Sequence, residues 1–158
     1  VGTLESLWDA NMDMLSPDSG LDLSDESWPI YARSVDAPPI YMGGDSHVSH
    51  SAINRGCDIE GTVENSVLSP RVTIEKGARV SYSVILPGVT VEAGSVIEYA
   101  IIGEGCHIGR ECRVGGTPDS APGGKWNLTV LAPDCALEDG REIAPGVMLD
   151  RYGKEVLK

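Results

Sequence analysis

Phenylalanine is missing from this 158-residue chain, and aromatic side chains of any kind make up only 5% of it. A core without large rings has to be narrow and filled by Val and Ile. No apolar run approaches the roughly 18 residues of a membrane-spanning helix. The four cysteines form no CxxC pair, which removes the usual spacing signal for structural zinc. Positive charge is scarce: 12 Lys and Arg stand against 24 Asp and Glu, a formal charge of -12, which argues against nucleic acid or an anionic membrane as partner. No glycine-rich loop lies between a strand and a helix with a basic residue after it, and Gly43-Gly44-Asp45-Ser46 is a poor imitation of one. There is also no initiator Met or signal peptide ahead of Val1, so the chain reads as part of something longer.

What is present is a repeat. Residues 66–116 fall into three lines of seventeen, SVLSPRVTIEKGARVSY, SVILPGVTVEAGSVIEY and AIIGEGCHIGRECRVGG, with apolar residues in the same columns. Their anchors, Ile74, Val80, Ile85, Val91, Ile97, Ile102, Ile108 and Val114, are six, six and five positions apart. Neither an amphipathic helix nor a simple alternating strand has that period. A triangular coil does, with one short strand per face, one corner per hexad and one anchor pointing inward from each face.

Four positions after an anchor a second inward residue is expected, and Cys57, Ala78, Val89, Ser95, Cys106, Cys112 and Cys135 occupy those slots. All four thiols are therefore read as small, buried and reduced, which points to the cytoplasm. Three positions after an anchor, Gly56, Gly77, Gly88, Gly94, Gly105, Gly140 and Gly146 suit corners with positive φ. The ladder extends upstream through Met42, Val48, Ile53 and Ile59, where residues 51–65 make a coil of fifteen, and downstream through Leu131, Leu137, Ile143 and Leu149. The fold class is thus all-β, a parallel β-helix of about five to six coils, about 25 to 30 Å long at roughly 4.8 Å per layer. Its two ends are open edges to be capped or given to a partner.

Three further segments complete the organisation. Residues 1–16 predict a helix with Leu4, Leu7, Trp8, Met12 and Leu15 on one face, capped at Gly2 or Thr3. Residues 17–41 form an extended linker, acidic at Asp18, Asp22, Asp25 and Glu26 and carrying Trp28, Tyr31, Pro38, Pro39 and Tyr41. Residues 42–158 form the β-helix, interrupted by an excursion loop at 117–127. An acyltransferase of this architecture needs a histidine base, for which His47, His50 and His107 are the candidates, and a metal hydratase needs three converging histidines. His107 precedes an anchor and should face solvent. Arg110 and Arg113 could meet a phosphate.

VGTLESLWDANMDML, the WPIY linker, the paired prolines and the hexads SVLSPRVTIEKGARV and SVILPGVTVEAGSVI together resemble the C-terminal third of the bacterial glucose-1-phosphate adenylyltransferases. The resemblance implies a left-handed β-helix. It also implies that adenylyl transfer with ATP and magnesium belongs to an N-terminal α/β domain, the missing partner against which the opening helix would lie. This chain would then hold no catalytic, cofactor-binding or metal-binding residue. Its work would be assembly of a homo- or hetero-oligomer, a tetramer for the parent, and support of a regulatory site involving Glu104, with Arg110 and Arg113 as further candidates. Strongly activated relatives place an acidic and then a basic residue where Gly103 and Glu104 stand, so the resemblance implies weak binding of anionic effectors here.

Overall fold

The computed structural model describes residues 3–15, 37–117 and 128–156. Most of the predicted linker, including Trp28, Tyr31 and its acidic residues, and nearly all of the excursion loop lie outside the described residues.

Eighteen short strands follow one helix among the described residues. The first face of the prism carries β1 (Tyr41–Met42), β4 (Asp58–Ile59), β7 (Thr73–Ile74), β10 (Thr90–Val91), β13 (His107–Ile108) and β16 (Ala136–Leu137). The second carries β2 (His47–Ser49), β5 (Thr62–Glu64), β8 (Arg79–Ser81), β11 (Val96–Glu98), β14 (Arg113–Gly115) and β17 (Glu142–Ile143). The third carries β3 (Ala52–Ile53), β6 (Val67–Leu68), β9 (Val84–Ile85), β12 (Ala100–Ile102), β15 (Thr129–Leu131) and β18 (Met148–Leu149). Three six-stranded parallel sheets therefore close a solenoid of six turns. The anchors stack as the sequence predicts: Ile59, Ile74, Val91, Ile108 and Leu137 share one column by strand register, and all are buried. The seven predicted corner glycines take φ between 72° and 81°.

The fifteen-residue coil is real, and the structure locates its shortening. Four residues, 43–46 and 75–78, turn the chain from the first to the second face in the neighbouring coils, whereas only Glu60 and Gly61 do so between β4 and β5. Gly61 is confined there, since an added Cβ would sit 2.8 Å from the Glu75 carbonyl oxygen. At the corner between the second and third faces a buried column of hydroxyls replaces part of the backbone ladder. The amides of Ser66, Ser83 and Ala100 donate to the hydroxyls of Ser51, Ser66 and Ser83 at 3.1, 3.2 and 3.2 Å. Each hydroxyl in turn donates to a carbonyl two residues earlier, so these buried polar groups are satisfied.

The same corner positions the helix. His50, Asn65, Tyr82 and Tyr99 follow the second-face strands with φ of 47° to 49°. That left-handed conformation costs a non-glycine residue about 1 kcal/mol or more. For the tyrosines the turn stacks their rings at 4.8 Å, nearly parallel. α1 (Leu4–Met14), capped by the Thr3 hydroxyl accepting from the Ser6 amide, lies against this stack. The Trp8 ring sits 6.1 Å from Tyr99, and its indole N–H donates to the Tyr82 carbonyl at 2.8 Å. Leu7, Trp8 and Met12 pack on the outward side chains Val84 and Ile101 and on Leu128. The third face is thus apolar inside and out, and the helix is the reason. Leu4 and Met14, at the ends of the helix, stay 37% exposed.

Candidate regulatory site on the prism corners

Glu104 stands on the corner between β12 and β13. It lines a groove of about 340 Å³ with Arg71, Pro87, Gly88, Gly105, Pro133 and Asp134. Arg71, Gly88, Gly105 and Asp134 occupy one corner column, joined by the bonds Gly88 N–H to Pro70, Gly105 N–H to Pro87 and Asp134 N–H to Glu104 at 2.9 to 3.1 Å. The two glycines leave the hollow and the charged side chains bound it, with one guanidinium towards its first coil and two carboxylates towards its last. An anion entering there meets more negative than positive charge. Gly103 has a local cause as well: a Cβ would lie 2.5 Å from the Pro133 nitrogen and 2.6 Å from the Leu131 carbonyl oxygen. No other residue fits beneath the returning coil, so an acidic side chain at this place would require that coil to move.

Arg110 lies elsewhere. It is on the next corner of the same coil and lines a separate hollow with Ala93, Gly94, Glu111, Asp139 and Gly140. Its amide donates to the Asp139 carboxylate at 2.8 Å. Arg113 is on β14, in register with Val96 and Glu142 on the outer side of the second face. Glu104, Arg110 and Arg113 therefore occupy two corners and a face of one coil, and they share no cavity. Arg71 and Asp134, which do accompany Glu104, escape a reading of the sequence by motif. Counting forward from Arg71 in steps of seventeen reaches Gly88 and Gly105, and this is the signal that finds the first of them.

The histidines are also dispersed. His47 is on the second face, His50 on a corner, and His107 on the first face, where its Nε2 lies 3.3 Å from the Glu92 carboxylate with about half the ring exposed. Among the described residues no three His, Cys, Asp or Glu side chains are grouped to hold a metal. All four cysteines are buried and unpaired with one another. Burial pushes the thiols of Cys57 and Cys135 up and that of Cys106 up to about 11, because a thiolate there would lose its hydration. Cys106 and Cys112 each donate to a carbonyl of the following coil at 3.1 Å. These are core residues, not nucleophiles.

No helix among the described residues is long and apolar enough to cross a membrane. The stacked two- and three-residue strands at a six-residue repeat, inward anchors and left-handed corner residues define a parallel β-solenoid of hexapeptide repeats. Residues 41–129 match the family described as GlmU-like, C-terminal hexapeptide, and the chain belongs to that family. A stretch of 80 residues is 52% identical to the glucose-1-phosphate adenylyltransferase of Geobacillus stearothermophilus. It covers 51% of this chain and 21% of that enzyme, so the chain accounts for about a fifth of its relative. Among solved structures, a variant of GDP-perosamine N-acetyltransferase from Caulobacter crescentus, in complex with CoA and GDP-perosamine, aligns with a TM-score of 0.53. The alignment covers 77% of this chain and 58% of that one at 14% identity. A second variant of that enzyme aligns at 0.52 with 13% identity. At such identities the likeness is one of fold alone.

Proposed function

We propose that this chain is the C-terminal, non-catalytic domain of a glucose-1-phosphate adenylyltransferase, serving oligomer assembly and bearing part of a regulatory site. The 52% identity carries this reading. Hexapeptide coils by themselves are common to many chemistries. The docked helix supports it: α1 is amphipathic, no residue of it is fully buried, and it already leans on the third face, as suits a helix at a junction between two bodies. In this reading ATP, magnesium and glucose 1-phosphate are handled by a catalytic domain. The parent would be a cytoplasmic homo- or hetero-oligomer.

The test is a chimera in which this chain replaces the matching region of the Geobacillus stearothermophilus enzyme. It should form ADP-glucose and assemble, while the chain alone should neither form ADP-glucose nor bind Mg-ATP in the micromolar range. An inactive or monomeric chimera beside an active parent, or micromolar ATP binding by the chain alone, overturns the proposal. Within an active chimera, Glu104→Arg reverses the excess negative charge of the corner groove. It should lower the concentration of an anionic activator needed for half-maximal stimulation by about tenfold. Strong activation without that substitution, unchanged by it, removes Glu104 from the regulatory site.

One observation favours a second reading as an acyltransferase. His107 beside Glu92 is an exposed imidazole–carboxylate pair of the kind a general base requires. Saturable coenzyme A binding, lost in His107→Ala, would establish that reading; no binding would dismiss it.

A further inference from the structure

The two-residue shortening between β4 and β5 leaves a notch in the edge of the prism. Corners 43–46 and 75–78 project on either side of it, and Lys76 reaches across to Asp45, Nζ to Oδ2 3.2 Å. Tyr41, Gly43, Gly44, Asp45, Glu60 and Lys76 line a space of about 220 Å³. That is smaller than the roughly 300 to 1,000 Å³ of pockets for drug-sized molecules, and it suits a single ring. The chemistry of the lining narrows the choice. Two carboxylates and one ammonium leave a net negative charge that disfavours an anion, while the ammonium disfavours a simple cation. What remains favourable is a neutral molecule rich in hydroxyls, able to donate to Asp45 and Glu60 and accept from Lys76. Tyr41 is 57% exposed. Its ring offers an apolar surface for the C–H face of such a molecule. Gly44 leaves the approach open, for a Cβ there would meet no atom within 4 Å.

We propose that this notch binds a neutral pyranose sugar, one ring of an oligosaccharide, with Tyr41 beneath the ring and Asp45, Glu60 and Lys76 on its hydroxyls. The proposal does not rest on the adenylyltransferase reading. The experiment is an NMR titration of the 158-residue chain with maltotriose, cellotriose and chitotriose in turn, with glucose 1-phosphate as the anionic comparison. At least one trisaccharide should give saturable shifts confined to residues 41–46, 60–61 and 75–77, with a Kd of about 1 mM. Tyr41→Ala and Glu60→Gln should each weaken binding by about tenfold. Gly44→Leu should abolish it with an unchanged melting temperature, since it adds an apolar side chain to the lining at a position where a Cβ meets no atom within 4 Å. Absence of saturable binding by all three sugars overturns the site. So do shifts centred elsewhere, a Gly44→Leu variant that binds as wild type, or tighter binding of glucose 1-phosphate than of any trisaccharide.

Discussion

The two ends of the prism are built from the same hexad and differ in how they stop. At the first coil the inward residue of β1, Met42, is 49% exposed, and Val48 and Ile53 are only partly buried. At the last coil the corresponding residues Leu137, Ile143 and Leu149 are 3%, 6% and 2% exposed. The difference lies in residues 150–156. They fold back so that Glu155 bridges antiparallel to Leu149 and the Val156 amide reaches the Met148 carbonyl at 2.8 Å. The Asp150 carboxylate accepts from the amides of Tyr152 and Lys154, and the Arg141 guanidinium donates to the Gly153 carbonyl at 2.6 Å. Seven polar-rich residues thus cover an edge that six coils cannot cover for themselves.

The largest effect should come from comparing the middle of the column with its open end. Ile102 is fully buried, whereas Met42 is half exposed. Ile102→Asp places an unpaired carboxylate in the core and should destabilise the chain by about 4 kcal/mol or more, whereas Met42→Asp should change it by less than about 1 kcal/mol. Thermal melts followed by circular dichroism decide this, and equal losses would mean that the first coil is as closed as the centre. Asp150→Ala removes the acceptor for two amides of the cap. It should cost about 1.5 kcal/mol, with faster amide exchange confined to β16–β18. Exchange that quickens along the whole prism would show that the end is not an independent unit.

A pH-dependent effect separates the core from either end. The Cys106 thiol ionises at about 11 in the folded chain against 9.0 when exposed, so between those values the unfolded state sheds a proton that the folded state keeps. This contribution to stability is full below pH 9 and declines as pH rises towards 11. It amounts to at most about 2 to 3 kcal/mol. Comparing denaturant midpoints of wild type and Cys106→Ala across that window isolates it from other alkaline titrations, and parallel profiles would refute it. Smallest in stability is Trp8→Ala, which should lower the melting temperature by only a few degrees while freeing α1 to exchange. Unchanged protection of residues 4–14 would mean that the indole is not the anchor.

The period of the sequence makes the column of anchors, the small inward slots and the glycine corners legible, because a stack repeats its environment at a fixed interval. Features that break the interval are harder to read. A coil of fifteen can be counted, but only strand pairing places the missing residues at Glu60 and Gly61. The cap has no apolar period at all. His50, Asn65, Tyr82 and Tyr99 hold a left-handed corner without being glycine, and the contact of Trp8 with Tyr82 spans 74 positions. The groove at Glu104 is half legible: the residue itself stands out, while Asp134 reaches it only across the excursion, beyond the reach of seventeen-residue counting.

The regular spacing of partners also governs how the chain finds its structure. Through most of the stack a new coil bonds to one only 15 or 17 positions away, so any nucleus within residues 66–116 presents a finished edge to the next segment and growth proceeds by short closures. One step is longer, the 29 positions from Arg110 to Asp139. The larger closure adds about 0.5 kcal/mol to its barrier. α1 has no such neighbour in sequence. It can engage only after the coils bearing Tyr82, Tyr99 and Leu128 are in place, so its docking follows theirs in assembly and must be lost before those coils come apart.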